Sequence, residues 1–229
     1  MDDLHNQQNA ASIAQQTLPD GLIEIRGTNG TLLQKMTYKE GLLHGVTEIF
    51  FPSGICAQKL MFVEGILSGE AFVYAEDGSV THALTYADNV LNGPATFYKD
   101  GSKTLQTTYI NGQQEGKATY YTLQGDISAE AFYKSGKLEG TFTFFGEQGN
   151  IVRVAYYSIG KLEGLSTTYY PSGHVLEEAL YHADLLEGER RQYYDNGVMK
   201  EIAHFVAGKQ RDGVQFDQKG HVCPPKKDI

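Results

Sequence analysis

The sequence predicts an all-β, elongated protein built from antiparallel β-hairpin repeats. Three observations indicate this fold class: glycine recurs every 23 to 25 residues, aromatic residues recur on the same interval, and apolar residues between them are separated by even offsets. Side chains of a strand alternate between its two faces, so even offsets place residues on one face of a strand. We therefore expect about eight repeats of 24 residues and a short ninth.

An opening glycine begins each repeat. These residues are Gly21, Gly45, Gly69, Gly93, Gly116, Gly140, Gly164, Gly188 and Gly213. Two further glycine columns lie within the repeats, and the three columns together hold 24 of the 26 glycines. Because glycine adopts positive φ at little steric cost, we expect all three columns in turns. Asn89 and Asp184 replace the third glycine in two repeats, and both residue types tolerate left-handed geometry.

Each repeat is predicted to contain two strands and two turns. The first turn, with sequences such as PSG and DNG, is expected to be a hairpin loop of three to five residues. The second is a reverse turn with the sequence GKLEG at residues 136–140. Turns this short require antiparallel neighbours. About sixteen strands at roughly 4.8 Å spacing would give a rod about 75 to 80 Å long.

One aromatic column is occupied in every full repeat, and we call it the aromatic ladder. It comprises Tyr38, Phe62, Tyr86, Tyr109, Tyr133, Tyr157, Tyr181 and Phe205. We expect stacked aromatic side chains to form a continuous narrow core, since one hairpin cannot bury its apolar face alone. A groove that binds a peptide, a glycan or a lipid is the alternative interpretation of the ladder. Cys56 shares an apolar column with Ile127 and Val175, which predicts a small core residue.

The two ends of the chain differ from the repeats. Residues 1–20 are interpreted as an N-terminal cap or a flexible segment, with a short helix over 9–18. Residues 21–212 hold the eight repeats. Residues 213–229 form a truncated repeat, with a closing strand around Phe216 and a charged tail that blunts the exposed sheet edge.

The composition excludes several classes of protein. A net charge of −9 argues against a nucleic-acid-binding protein, which needs a basic surface. Neither a signal peptide nor a membrane-spanning apolar run is visible, and the two cysteines form neither a disulfide framework nor a metal-ligand spacing. These features predict a cytoplasmic protein without a transmembrane segment.

No catalytic, metal-binding or cofactor-binding set is predicted. The seven histidines are scattered, no nucleophile elbow is present, and every glycine motif belongs to a turn column. An enzyme on this scaffold is therefore the least favoured hypothesis.

Four successive repeats carry a glutamate directly before the opening glycine. These residues, which we call the glutamate row, are Glu115, Glu139, Glu163 and Glu187. Equivalent positions two strands apart lie about 9 to 10 Å from each other, so the row would line one edge. Two interpretations are open: solvated turn carboxylates chosen for solubility, or a docking strip for a basic protein partner.

Residues 116–164 resemble the MORN-repeat variant of bacterial YwqK-type antitoxin proteins. The resemblance lies in Tyr120, Tyr121, Gly125, Tyr133, Gly136, Leu138 and Gly140, and it recurs in the next repeat. The chain has no tryptophan, which the better-known MORN consensus carries. The resemblance implies a non-catalytic antitoxin or immunity protein that binds and neutralises a toxin or effector. The alternative is a membrane- or envelope-associated scaffold that binds phospholipid or organises a complex.

Overall fold

A computed structural model describes residues 20–224. The helix expected over 9–18 and the end of the charged tail lie outside these residues. The described chain contains twenty strands: β1 Gly21–Arg26, β2 Leu32–Lys39, β3 Leu42–Leu43, β4 Gly45–Phe50, β5 Cys56–Val63, β6 Ile66–Tyr74, β7 Val80–Ala87, β8 Val90–Leu91, β9 Gly93–Lys99, β10 Ser102–Ile110, β11 Gln113–Tyr121, β12 Ile127–Lys134, β13 Lys137–Phe145, β14 Ile151–Ser158, β15 Lys161–Leu162, β16 Gly164–Tyr169, β17 Val175–His182, β18 Leu185–Tyr193, β19 Met199–Val206 and β20 Lys209–Gln215.

The described residues form strands, turns and bends without a helix, and consecutive strands pair antiparallel. The prediction of an all-β hairpin repeat is therefore confirmed. The strand count exceeds the expected sixteen mainly because β3, β8 and β15 are two-residue strands, each separated from the next strand by a single residue.

The chain divides into two compact units. Of the described residues, 20–80 and 85–90 form unit 1, and 81–84 and 91–224 form unit 2. Strands β1 to β6 belong to unit 1, and strands β9 to β20 belong to unit 2.

In most repeats the first turn is the predicted hairpin loop, but between β9 and β10 it is a two-residue turn of Asp100 and Gly101, both with positive φ. Between β4 and β5, the Phe51 N–H donates to the Ile55 carbonyl at 2.8 Å and the Gly54 N–H donates to the Phe51 carbonyl at 2.8 Å. Gly54 has φ of 86°, which a residue with a Cβ adopts only at a cost. The same pair of bonds recurs in other repeats, for example around Gly149 and Gly197.

The second turn contains only two residues, and both have positive φ. Between β12 and β13 these are Ser135 at 50° and Gly136 at 76°, the pattern of a type I′ turn. The prediction that the whole GKLEG segment forms the turn is wrong, since Lys137, Leu138, Glu139 and Gly140 belong to β13. A two-residue turn suffices because the I′ twist matches that of the flanking strands.

The opening glycines lie in or at the start of strands rather than in turns, which corrects the expectation for this column. Gly116 lies within β11, directly opposite Tyr133 of β12, where the register of β11 with β10 shifts. A Cβ at Gly116 would meet no atom within 4 Å, but its φ is 76°. Glycine is therefore required there by backbone geometry at an irregular ladder, not by lack of space.

Small residues occupy the most buried positions of the sheet. Seven alanines are at most 1% exposed or completely buried: Ala71 in unit 1, and Ala95, Ala118, Ala131, Ala155, Ala179 and Ala203 in unit 2. In unit 2, Ala118 lies opposite Ala131, and Ala131 lies opposite Phe142.

Among the described residues no large side chain is completely buried, and the ladder rings are half-buried except for the buried Phe205. The expected aromatic core is therefore an alanine-rich centre flanked by rings.

Cys56 and the closing segment also differ from expectation. Cys56 is half-buried and forms no disulfide, and burial raises the pKa of its thiol. The last full strand is β20, and the expected closing strand at Phe216 is a single bridge to Val222.

Candidate functional site

The four residues of the glutamate row all lie in unit 2. Glu115, Glu139 and Glu187 belong to β11, β13 and β18, and Glu163 is the residue between β15 and β16. Each stands directly before an opening glycine, at the irregularity described above, where the strand departs from regular pairing.

Each carboxylate accepts a hydrogen bond from a backbone N–H of the following repeat. The distance from the glutamate Oε2 atom to the backbone nitrogen is 2.8 Å for Glu115 and Ser135, and 2.7 Å for Glu139 and Ile159. It is 2.9 Å for Glu163 and Ala183, and 2.7 Å for Glu187 and Ala207. The partners are 20 residues apart in every case. The row therefore ties each of the four repeats that carry it to the next repeat.

The residues that donate these bonds are the first residues of the type I′ turns. Their φ values are 50°, 51°, 51° and 49° for Ser135, Ile159, Ala183 and Ala207. Left-handed geometry costs a non-glycine residue about 1 to 2 kcal/mol, and it is rarest for β-branched residues such as Ile159. The glutamate bond satisfies the N–H of this left-handed residue and so stabilises the turn. Sequence reasoning missed this structural role, and the docking role of the row stays a prediction.

Glu163 makes a second contact, to the His182 ring. The Glu163 Oε1 atom lies 2.9 Å from Nδ1 of His182. The backbone bond from Ala183 and the bond from His182 hold the pKa of the Glu163 carboxyl below its usual range. The same carboxylate, followed by the charge of Glu187, raises the pKa of His182.

Asn89 and Asp184 have φ of 64° and 74°, as expected for residues that replace glycine. Each Oδ1 atom also accepts a bond from the preceding repeat, from Leu67 N–H at 2.9 Å and from Leu162 N–H at 2.8 Å respectively. In repeats with glycine at this position, the turn is tied to the preceding repeat by the glycine N–H, as Gly160 is to the Leu138 carbonyl at 2.8 Å.

Most members of the aromatic ladder lie between a leucine and a glycine, whereas Tyr109 and Phe205 have glutamine in place of the leucine. Tyr133, for example, lies opposite Leu138 on one neighbouring strand and opposite Gly116 on the other. The hydroxyl groups of Tyr133 and Tyr120 are 2.7 Å apart, and burial raises the pKa of Tyr120. Tyr120 also stacks on Phe142, with ring centroids 6.0 Å apart. A structural role of the ladder and ligand binding along it both stay predictions.

An ion pair occupies the small-residue centre near the end of unit 2. Arg190 lies between Ala179 and Ala203, and its guanidinium pairs with Glu201 and lies 5.1 Å from the centroid of the Phe205 ring. The two charged side chains are only 22% and 13% exposed. Sequence reasoning missed this pair, although a charged residue two positions after an opening glycine, where Ala95 and Ala118 stand in other repeats, signals it.

The opposite face of the same sheet carries an exposed apolar row. It consists of Phe132, Tyr156, Leu165 and Leu180, which are 41 to 49% exposed. Phe132, Tyr156 and Leu180 each follow a buried alanine, so they lie on the face away from the alanine-rich centre. Leu165 lies opposite Leu180, and these two leucines line a shallow cavity with Glu178, Glu189 and Arg191.

The described residues contain no cluster of three or more metal-ligating side chains. Within residues 20–224 there is also no helix that is long and apolar enough to cross a membrane.

Two repeats of unit 2, residues 162–183 and 186–207, match the family model described as MORN repeat variant. The match supports the MORN-repeat family, whose repeats are a non-catalytic scaffold for binding proteins or lipids. A comparison with curated proteins found no match.

Solved structures with some likeness include a point mutant of S. aureus TarM in complex with Fondaparinux, alpha-GlcNAc-glycerol and UDP, at 10% identity and a TM-score of 0.18. It aligns with 71% of this chain and 22% of that one. TcdB2-TccC3 without its hypervariable C-terminal region gives 11% identity and a TM-score of 0.17, over 88% of this chain and 16% of that one. The chain thus spans less than a quarter of either solved chain, and likenesses at these TM-scores carry no argument.

Proposed function

We propose that the chain is a non-catalytic antitoxin or immunity protein that binds a toxin or effector. It neutralises that partner by occluding the surface through which the partner acts. The observation that carries the proposal is the exposed apolar row of unit 2. Four large apolar side chains on strands β12, β14, β16 and β17, left open to solvent on one face, are typical of a protein-binding surface.

The surroundings of the row support a protein partner. Lys117 lies opposite Phe132 and pairs with Glu130 at 2.7 Å, and Glu189 pairs with Arg191 near Leu180. An apolar, partly aromatic centre with charged residues around it is the usual composition of protein interfaces.

The charge of the chain favours a basic partner. The net charge is −9, and the glutamate row places four carboxylates on successive repeats of unit 2. Each of them holds a turn through one oxygen, and its negative charge still acts on an approaching partner. Such charges raise the association rate more than they strengthen the final complex. A cytoplasmic location belongs to this proposal.

The test is co-expression with the protein encoded next to this chain, assayed by rescue of growth and by isolation of a stoichiometric complex. Replacing Tyr156 and Leu180 by Asp should abolish both, while Ile110→Asp, at an exposed apolar position outside the row, should retain both. The proposal would be contradicted if the Tyr156 and Leu180 variant still rescued growth, or if the native chain did not rescue growth.

The glutamate row is tested separately by replacing Glu115, Glu139, Glu163 and Glu187 with Gln. Glutamine removes the charge and keeps an oxygen that accepts the backbone bond. We expect a slower association rate and a weaker dependence on salt, with the growth rescue retained. An association rate equal to that of the native chain would show that the row does not steer the partner.

The membrane- or envelope-associated scaffold stays the alternative. Flotation of the purified chain with vesicles of anionic phospholipid distinguishes the two proposals. Co-flotation that survives physiological salt would favour the alternative.

A further inference from the structure

The second-turn edge of unit 1 carries an apolar strip of its own. Leu42, Val63, Ile66 and Val90 flank three successive type I′ turns and are 39 to 48% exposed. We call these four residues the turn strip. Val63 lies directly opposite Ile66, across one turn.

Hydrogen bonds between successive turns hold the strip in place. The Gly65 N–H donates to the Leu43 carbonyl at 2.7 Å, and the Asn89 N–H donates to the Leu67 carbonyl at 3.0 Å. The Leu42 side chain packs 3.6 Å from the point where a Cβ of Gly65 would lie. The strip is therefore preorganised, which lowers the entropic cost of binding a partner.

Three acidic residues occupy the tips of these turns. Glu40, Glu64 and Asp88 are exposed, with φ of 53°, 51° and 51°. In the part of the chain that the structure describes, their carboxylates make neither an ion pair nor a hydrogen bond. The equivalent tips in unit 2 are the uncharged Asn111, Ser135, Ile159, Ala183 and Ala207, and the last four donate a backbone bond to a glutamate of the preceding repeat.

The turn geometry accounts for Asp88 but not for the two glutamates. Type I′ turns prefer Asn, Asp or Gly at the first position, and glutamate has no side-chain bond here that would offset its left-handed backbone. Glu40 and Glu64 therefore add exposed charge to the edge at a cost to the fold. Lys39, opposite Leu42, adds one positive charge beside the strip, against the three negative charges of the tips.

We propose that the turn strip binds a basic amphipathic helix of a partner protein. Equivalent residues of successive turns are two strands apart, about 9.6 Å. Residues seven apart on a helix lie on the same face and are separated by about 10.5 Å along its axis. Because this spacing is close to the roughly 9.6 Å between successive turns, an apolar side chain at every seventh helix position can contact one turn of the strip after another. Lysine or arginine on the flank of that helix then faces Glu40, Glu64 and Asp88. The chain's own residues 1–19 contain neither lysine nor arginine, so they do not provide this complement.

The proposal is independent of the exposed apolar row, which belongs to unit 2. Its test uses the full chain and a fluorescent synthetic peptide of about 21 residues, with leucine at every seventh position and lysine on the adjacent face. Two further peptides are compared: one with glutamate in place of lysine, and one with the same composition in scrambled order. Binding is measured by fluorescence anisotropy at about 50 mM and about 200 mM salt.

The variant that tests the acids carries Glu40→Gln, Glu64→Gln and Asp88→Asn. Its matched control carries Asp100→Asn, Asp126→Asn and Glu147→Gln, which removes the same charge from exposed positions of unit 2. We expect the first variant to bind the lysine peptide about tenfold more weakly and the control to bind it within about twofold of the native chain. Circular dichroism establishes that both variants fold.

A second variant, Leu42→Ser with Ile66→Ser, tests the apolar part of the strip and should weaken binding at both salt concentrations. Equal loss of affinity in the acid variant and its control would overturn the proposal. The proposal would also be overturned if the glutamate peptide or the scrambled peptide bound as tightly as the lysine peptide. It would likewise be overturned if the chain bound to itself through this strip, that is, if it self-associated and the acid variant did not.

Discussion

The Glu139 carboxylate accepts a hydrogen bond from the backbone N–H of Ile159, with 2.7 Å between Oε2 and the nitrogen. Ile159 is a β-branched residue with φ of 51°, the first of two residues in a type I′ turn. The bond thus joins an acidic residue of one repeat to the least favourable backbone position of the next. The same relationship recurs at Glu115, Glu163 and Glu187.

Removing the Glu139 acceptor should destabilise the fold. We expect Glu139→Ala to lower the free energy of unfolding by about 1 kcal/mol, because the Ile159 N–H loses its partner. Glu139→Gln should cost less, since its amide oxygen still accepts. Urea unfolding followed by circular dichroism measures both. Glu147→Ala, at an exposed turn carboxylate, is the control and should lie within about 0.5 kcal/mol of the native chain.

Replacing Ile159 itself should stabilise the chain. Ile159→Asn creates the Asn-Gly pair that type I′ turns prefer and removes the left-handed strain of a β-branched residue. The expected gain is about 1 kcal/mol in urea unfolding. Ile110→Asn, an equally polar change at an exposed strand position, should bring no gain. A similar gain in the free energy of unfolding in both variants would mean that the polar side chain, and not the relief of strain in the turn, stabilises the chain.

The pair of Arg190 and Glu201 should be strongly coupled. A double-mutant cycle with Arg190→Met and Glu201→Gln should give a coupling energy of about 2 kcal/mol, because both side chains are mostly buried. The cycle for Lys117 and Glu130, whose side chains are 50% and 26% exposed, should give less than about 1 kcal/mol. Equal coupling energies in the two cycles would contradict the assignment of Arg190 to a desolvated centre.

The contact of His182 with Glu163 should depend on pH in both directions. The pKa of His182 is raised above its ordinary 6.5, so the stabilisation is lost as pH rises through the raised value. The pKa of Glu163 is lowered below 4.5, so the stabilisation is also lost as pH falls through the lowered value. The contact therefore contributes most between pH 4.5 and 6.5.

Titration of the His182 ring by NMR measures this contact. In Glu163→Gln the pKa of His182 should fall towards 6.5, while in Glu139→Gln it should stay raised. A His182 pKa that is the same in the native chain and in Glu163→Gln would contradict the assignment of the shift to Glu163.

The repeat period and the hairpin architecture could be predicted from sequence because glycine and aromatic columns directly report backbone turns and strand faces. Asn89 and Asp184 were likewise recognisable as glycine substitutes. The bond from Ile159 to Glu139 was not predictable, since it depends on which strand residues lie beside each other across repeats. The strand position of Gly116 was also missed, because positive φ at a ladder irregularity and positive φ in a turn select the same residue.

The burial pattern was predicted only in part for a similar reason. The even spacing of apolar residues places Ala131, Ala155 and Ala179 on one face of their strands, but their almost complete burial follows from their place between neighbouring strands. The exposure of Phe132 and Tyr156 depends in the same way on which face of the sheet is left uncovered.

Amide hydrogen exchange at Ile159 tests most directly the central claim that the glutamate row holds the turns. The native chain and Glu139→Gln should both protect the Ile159 N–H, while Glu139→Ala should exchange it at least about fivefold faster. The Gly160 N–H, bonded to the Leu138 carbonyl at 2.8 Å, is the internal reference and should stay protected in all three. Equal exchange of Ile159 in the three proteins would contradict the claim.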